Sequence, residues 1–339
     1  MIKELTHEYY EKWDSYVENH PESTFFHKAG WQDVIEKSFG HKTYFLFVEN
    51  KNEITGILPM ANISSLLFGN SLVSTPFCVY GGAIANDEKT IDILYERASE
   101  LAKELKLDHF ETRHSKNKYK DWPEKDLYVT FRKEMSAVPE ENMMAIPRKQ
   151  RAMVRKGIKA GLRTEITEDV DIFYKIYSLS VRNHGTPVFS KKYFKILKDI
   201  FSEQCEIRVV FKGANPISTV MSFYFKDEVL PYYGGGTLDG RKYKAFDFMY
   251  WEIMKDSCTN GYKIFDYGRS KKGTGSYSFK KNWGFVPEPL HYQYDLLGSG
   301  KIPDVNPLNP KYQLFIKMWQ KLPLPVANII GPFIAKNLG

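Results

Sequence analysis

The hydrophobic pattern of this 339-residue chain runs through the same succession twice. The first copy spans Trp31 to Arg113. It opens on WQDVIEKSFG, where Trp31, Val34, Ile35 and Phe39 recur at helical spacing. YFLFVEN and EITGILPMANI follow around a polar Lys51-Asn52 turn and predict a hairpin. STPFCVYGG predicts a third strand, the stretch from Thr90 to Leu105 a helix, and HFETR a short last strand. The second copy spans Lys191 to Arg269. YFKILKDIF predicts a helix, and EIRVVFKG and PISTVMSFYF predict strands around Ala214-Asn215. EVLPYYGGG is the third strand, AFDFMYWEIMKDS the second helix and KIFDYGR the last strand.

Both copies place Tyr-Gly-Gly at the end of the third strand. Tyr80-Gly81-Gly82 matches Tyr233-Gly234-Gly235 at an offset of 153, and Phe110-Glu111 matches Phe265-Asp266 at an offset of 155. So little drift over so long a period predicts a repeated structural unit. The expected architecture is α/β with mixed sheets, in two tandem domains of one fold. The domains are placed at 1–140 and 165–297, joined by a helix at 141–164 and followed by a tail at 298–339.

Charge changes this picture at the joint. The chain has 48 basic and 41 acidic residues, a net of +7. From Ile146 to Arg163 there are seven basic residues and no acid. On a helix Arg148, Arg151, Arg155 and Lys159 share one face, with Val154, Ile158 and Leu162 as a separate apolar stripe. The segment reads either as a solvated helix face or as a surface for phosphates. No helix-turn-helix or zinc-finger spacing accompanies it, so duplex DNA is not an expected partner. The tail is also basic. In YQLFIKMWQK, Leu314, Phe315, Met318 and Trp319 share a face, which suits either packing on the body or docking on the inner membrane surface.

Composition removes several classes. Cys78, Cys205 and Cys258 are odd in number and widely spaced, which excludes a disulfide framework and a CxxC metal site and points to a reducing compartment. The N-terminus has no apolar signal region, and no run of apolar residues is long enough to span a bilayer. A cytoplasmic protein is expected, peripheral on the inner membrane face if the tail docks there. There is no P-loop, GxSxG or HExxH, and no metal is expected.

Three segments carry candidate chemistry. In YYGGGTLDGRKYKAFD, a strand ends in Gly234-Gly235-Gly236 and a helix begins near Ala245, so a ligand could approach the backbone closely. In FDYGRSKKGTGSYSFKKNWGF, Arg269, Lys271, Lys272, Lys280 and Lys281 crowd a Gly-rich loop suited to a polyanion. Asp266 at the strand end either orients or deprotonates an amine or simply pairs with Arg269, and Tyr233 is a candidate proton donor. In VRNHGTPVFS, Arg182 and His184 form a polar cluster at a helix end, where His184 reads as a cap or as a base. Tyr80 joins the candidates as the repeat partner of Tyr233.

The segments STPFCVYGGAIA, AIPRKQRAMVRKGIKAGL, SVRNHGTPVFSKKYF, FYFKDEVLPYYGGGT, FMYWEIM and FDYGRSKKGTGSYSFKKNWGF resemble the FemAB-like proteins associated with exosortase/PEP-CTERM systems. The resemblance extends over nearly the whole chain. It implies two tandem GNAT-type acyltransferase domains. It also implies an acyl- or aminoacyl-transferase of cell-envelope or exopolysaccharide biosynthesis. The implied donor is an acyl-CoA or an aminoacyl-tRNA. The implied acceptor is a small-molecule, lipid-linked or nucleotide-linked glycan or peptide. In this reading Asp266 and Tyr233 are catalytic, and Tyr80, Arg148, Arg151, Arg155, Arg182, His184, Gly234, Gly235, Arg269, Lys271 and Lys280 bind donor or acceptor. Two departures stand out. The acyl-CoA diphosphate loop of GNAT enzymes reads Q/R-x-x-G-x-G/A, but from Arg241 this chain reads Arg-Lys-Tyr-Lys-Ala-Phe. No long helical-hairpin arm of the tRNA-handling relatives is present. The alternative is a non-catalytic binder of a glycan, lipid carrier or assembly partner on a degenerate fold.

Overall fold

The computed structural model describes residues 1–65, 69–115, 119, 122–297, 302 and 310–337. It divides into two compact units, Met1–Tyr128 with Pro289–Asp304 and Lys336–Gly339, and Val129–Glu288 with Val305–Ala335.

The first unit has two four-stranded sheets. One orders Ile2–Glu4, Leu46–Asn50, Glu53–Leu58 and Ile84–Ala85; the other orders His291–Leu296, His109–His114, Gly69–Ser74 and Met60–Ser65. Gly69–Ser74 and His109–His114 are parallel, with Leu72 opposite Phe110. The helix Glu88–Glu104 makes the crossover between them, capped by Asp87, whose side chain accepts from the Thr90 N–H. It buries Leu94, Tyr95, Ala98 and Leu101 beside Leu72 and Phe110.

The second unit is built on a six-stranded sheet, in the order Leu162–Thr167, Cys205–Lys212, Asn215–Phe225, Glu228–Gly236, Ile264–Asp266 and Arg132–Glu134. Glu228–Gly236 and Ile264–Asp266 are parallel, with Val229 opposite Phe265, and the helix Ala245–Thr259 joins them. This repeats the first unit, and it is why Phe110 and Phe265 matched in sequence: both are fully buried on the far strand of a parallel pair.

The glycine run shows how helices cover this sheet. A Cβ on Gly235 would lie 2.7 Å from Cα of Tyr177, in the helix Val170–His184. A Cβ on Gly236 would lie 2.6 Å from the Phe246 ring of Ala245–Thr259. Neighbouring residues of a strand face opposite sides, so the two helices pack on opposite faces. Gly235 and Gly236 therefore serve close helix–strand packing, not only ligand approach.

Several expected boundaries shift. Pro59 splits EITGILPMANI into Glu53–Leu58 and Met60–Ser65, which enter different sheets. STPFCVYGG is not a strand: its ladder ends at Ser74, and Thr75 and Phe77 take positive φ. Tyr80-Gly81-Gly82 thus lies after a strand, whereas Tyr233-Gly234-Gly235 lies within one. The expected breaks at 140 and 297 also differ from the compact units. Arg132–Glu134 pairs with Ile264–Asp266 and completes the second sheet, while His291–Leu296 pairs with His109–His114 and completes a sheet of the first unit.

The basic helix runs Arg148–Lys159, with Pro147 at its N-cap. Its inner face is Gln150, Val154 and Gly157, where a Cβ on Gly157 would lie 2.7 Å from Phe248. Ile158, expected on the apolar stripe, is 47% exposed, and Leu162 begins a strand. In the tail, residues 298–301 and 303–309 lie outside the described residues. The helices Pro310–Gln320 and Leu324–Ala335 pack on Val170–His184 in the second unit.

Candidate functional site

The parallel pair in the second unit is a fork. Glu228–Gly236 is registered with Ile264–Asp266 only at Glu228↔Ile264 and Val229↔Phe265. Beyond Val229 it keeps its antiparallel neighbour Asn215–Phe225 and leaves Ile264–Asp266. Local chemistry explains the divergence. Pro231 has no N–H to give to a neighbouring strand. The register against Asn215–Phe225 moves from Ser222↔Pro231 to Met221↔Tyr233, so Tyr232 is an extra, bulged residue.

Asp266 ends the shorter prong and is fully buried. Its Oδ1 accepts from the Gly268 N–H at 2.6 Å and from the Thr130 hydroxyl at 3.4 Å, and its Oδ2 lies 3.6 Å from Nε of Arg132. Arg132 also pairs with Glu228. Arg132, across the sheet from Asp266, is thus a partner of this carboxylate that the sequence did not suggest. Gly268 has φ of 64°, a left-handed turn that glycine adopts without strain and that lets its N–H point back at Asp266.

Lys280 lies opposite. It is on the helix Gly275–Asn282, capped by Thr274, whose hydroxyl accepts from the Tyr277 N–H. Its Nζ donates to the carbonyls of Gly268 at 2.9 Å and Arg269 at 3.0 Å and sits 5.6 Å from the centre of the Phe131 ring. An ammonium has three N–H donors, so two carbonyls leave one for a third acceptor. Burial pushes the Lys280 pKa down to about 7; Asp266 opposes the shift and Arg269 adds to it. Arg269, Lys271 and Lys272 are half-buried around the same turn.

Tyr267 follows Asp266 and faces the other way, against Tyr250, Phe279 and Trp283. Burial raises its pKa well above 10, and its buried hydroxyl has no hydrogen-bond partner among the described residues. Nearby, the Tyr250 hydroxyl would lie 3.1 Å from a Cβ on Gly234. A buried hydroxyl without a partner is unusual and calls for an explanation. Nothing in the sequence distinguished Tyr267, Thr130 or Arg132 from the other polar residues of their strands.

The other expected residues lie elsewhere. Tyr233 is buried, with its hydroxyl 2.7 Å from that of Tyr193 and its ring against Tyr177 and Phe194. Its side chain is thus turned into the helix layer, which does not suit the expected proton donor. Tyr80 is buried in the first unit against Phe26. Arg148 and Arg155 are exposed on the basic helix, and Arg151 donates to the Met144 carbonyl at 3.1 Å. Gln150 anchors this helix by donating to Asp247, which also accepts from the Trp283 ring N–H at 3.1 Å. Burial raises the Asp247 pKa. His184 ends its helix before left-handed Gly185 and lies 3.4 Å from an Arg241 nitrogen, and burial followed by Arg241 lowers its pKa.

Arg182 donates to the Gln320 carbonyl at 3.0 Å, closing the end of the helix Pro310–Gln320. It thus ties the tail helix to the end of Val170–His184. Arg182→Ala should release about 1 kcal/mol of local stability. Tryptic cleavage within the last two helices should then speed up about fivefold in the native protein; an unchanged rate would refute this.

The segment from Arg241 bears on donor binding. The stretch Leu238–Tyr243 forms a short helix between strand and crossover helix, and the Thr237 hydroxyl takes the Gly240 N–H. A Cβ on Gly240 would lie 2.5 Å from the Ile217 carbonyl oxygen, so this glycine serves packing. The turn does not offer the glycine-lined backbone of the usual coenzyme A diphosphate loop. Among the described residues no group of three His, Cys, Asp or Glu side chains is placed to hold a metal, and no helix is long and apolar enough to cross a membrane. The three cysteines are buried and none is in a disulfide.

Residues 148–281 match the family described as Acetyltransferase (GNAT) domain. The fold is shared with solved structures at low identity. FemX is 14% identical, with a TM-score of 0.67 over 93% of this chain and 100% of its own. The C-terminal domain of a putative lysylphosphatidylglycerol synthetase from Agrobacterium fabrum is 12% identical, with a TM-score of 0.57 over 84% and 92%. A tandem GNAT protein from the clavulanic acid biosynthesis pathway is 9% identical, with a TM-score of 0.53 over 87% and 97%. No curated protein matches the sequence. The fold is thus the tandem GNAT arrangement, with a GNAT domain in the second unit. The forked parallel pair lies inside the matched residues.

Proposed function

We propose that this protein is an acyl- or aminoacyl-transferase that moves a group from an activated ester or thioester to an amine or hydroxyl of a cell-envelope or exopolysaccharide precursor. The observation that carries this reading is Lys280, a buried ammonium with one donor to spare at the mouth of the fork. The acceptor nitrogen or oxygen attacks the donor carbonyl carbon. The carbonyl oxygen gains negative charge, and the third N–H of Lys280 stabilises it in a site shielded from water. The carbon–oxygen or carbon–sulfur bond to the carrier then breaks, and the acceptor proton leaves with the carrier. The Tyr267 hydroxyl stays protonated and supplies a hydrogen bond to the donor. Positioning and charge stabilisation suffice, and no covalent enzyme intermediate is needed.

The acceptor class rests on the sequence resemblance. The putative lysylphosphatidylglycerol synthetase domain among the similar structures favours an aminoacyl donor, and the Leu238–Tyr243 helix disfavours a diphosphate held in the usual loop. The exposed Arg148 and Arg155, with Arg151, are assigned to an acceptor or donor phosphate.

The test is a screen of the purified protein with acyl-CoAs and aminoacyl-tRNAs against amine-bearing sugar and peptide precursors, reading transfer of labelled acyl group. Transfer from one donor class, abolished in Lys280→Met, is the expected result. Saturable binding of a glycan or lipid carrier without transfer from any donor would favour the non-catalytic alternative. Tyr267→Phe removes a buried hydroxyl without a partner, so its thermal midpoint should not fall while transfer weakens. A midpoint several degrees lower would reveal a structural role instead.

A further inference from the structure

The last two helices are arranged inside out. Leu324–Ala335 turns its small residues inward: Ala327, Gly331 and Ala335, four apart, are all buried. A Cβ on Gly331 would lie 3.0 Å from backbone atoms of Val188. The large apolar residues of the same helix face outward, with Ile329 68% and Phe333 66% exposed. A helix on a water-facing surface ordinarily does the reverse. On Pro310–Gln320, Ile316 packs on Gly185 and Trp319 is buried, while Leu314 and Met318 stand 65% and 63% exposed. Among the described residues, half of the exposed large hydrophobic side chains lie between Leu314 and Phe333. So dense an apolar surface marks an interaction site rather than scattered exposure.

The charge around it has one sign. From Val305 to the end the sequence has no Asp or Glu and carries Lys311, Lys317, Lys321 and Lys336. No charge interrupts residues 322–335. Lys317 and Lys321 are exposed beside the apolar face. A two-fold contact between copies of this surface would set lysines against lysines. An anionic bilayer satisfies both features, with apolar side chains entering the acyl boundary and lysines meeting lipid phosphates. A helix of 12 residues is too short to span the hydrocarbon core, so the pair would lie in the interface.

We propose that Pro310–Gln320 and Leu324–Ala335 form a docking surface for an anionic membrane. This goes beyond the reaction proposed above and does not depend on it. The experiment is co-sedimentation of the full-length protein with vesicles of phosphatidylcholine, with and without phosphatidylglycerol. Binding is expected only with phosphatidylglycerol and should weaken with salt. Lys317→Glu with Lys321→Glu should weaken partitioning more than about tenfold. Ile329→Asp should abolish it while the melting curve is unchanged. Met318→Ser, on the other helix and clear of buried contacts, should weaken it as well. Protein remaining in the supernatant with both vesicle types would overturn the proposal. So would equal binding to neutral vesicles, or a dimer in solution that Ile329→Asp converts to monomer.

Discussion

Lys280→Met is expected to lower transfer a hundredfold to a thousandfold, about the loss that follows removal of one oxyanion-binding donor from an enzyme site. Methionine keeps much of the length and apolar stem of lysine but loses the ammonium. What disappears is the donor left over after the carbonyls of Gly268 and Arg269 are bonded. Titration gives a second readout. Burial lowers the Lys280 pKa from 10.5 to about 7, so the ammonium is populated mainly below neutral pH. Wild-type transfer should decline as pH rises through that value. The stability effect has the opposite sense. Above 10.5 the amine is neutral both folded and unfolded. Between 10.5 and about 7 the unfolded chain holds the proton and the folded chain does not. Stability therefore falls as pH falls through this window, by on the order of 1 kcal/mol per pH unit, and levels off below it. Chemical unfolding at neutral and alkaline pH should show this slope in the wild type and not in Lys280→Met. Undiminished transfer by the variant would remove Lys280 from the site; a slope that persists in it would remove Lys280 as the buried base.

The repeat was legible because it is written in local patterns. Phe110 and Phe265 each sit in a short strand after a helix, and both occupy the same place in a parallel pair. The basic helix and the helix Pro310–Gln320 were legible for the same reason, from spacing and charge; Leu324–Ala335, interrupted by Pro325 and Pro332, was not. What the sequence hid is pairing between distant residues. Arg132 meets Asp266 across more than a hundred positions, and no local pattern points to it. The same holds for Arg132–Glu134 and His291–Leu296, whose registers place them in sheets that the linear order does not suggest. The glycine run was ambiguous for a different reason. Close approach by a ligand and close approach by a helix make the same demand on side-chain size. Only the positions of Tyr177 and Phe246 show that helices meet it at Gly235 and Gly236. Lys280 was found as one of many cations in a loop. Its burial, which sets it apart, comes from packing against Phe131 and two carbonyls.

Asp266→Ala is expected to destabilise the second unit by about 3–5 kcal/mol, because it strips a largely buried arginine of one carboxylate partner. The Gly268 N–H and the Thr130 hydroxyl lose their acceptor in the same step. Asp266→Asn keeps an oxygen for the Gly268 N–H and gives up only the charge facing Arg132, so about 1–2 kcal/mol is expected. A general base makes a different prediction: both variants would be folded and equally inactive. Chemical unfolding with turnover measured on the folded fraction separates the two. If Asp266 works through the fold, activity per folded molecule in Asp266→Asn stays near wild type. The partner can be tested directly by a double-mutant cycle with Arg132→Gln. Arg132 lies 3.6 Å from the Asp266 carboxylate and also pairs with Glu228. Removing both charges at once should therefore be less damaging than the sum of the single losses, by about 1–3 kcal/mol. A coupling near zero would mean that the ion pair does not hold the end of the prong. Lys280 bonds the two carbonyls just beyond that prong. The loss of transfer in Asp266→Ala is thus expected to follow the loss of folded protein, not the loss of a proton acceptor.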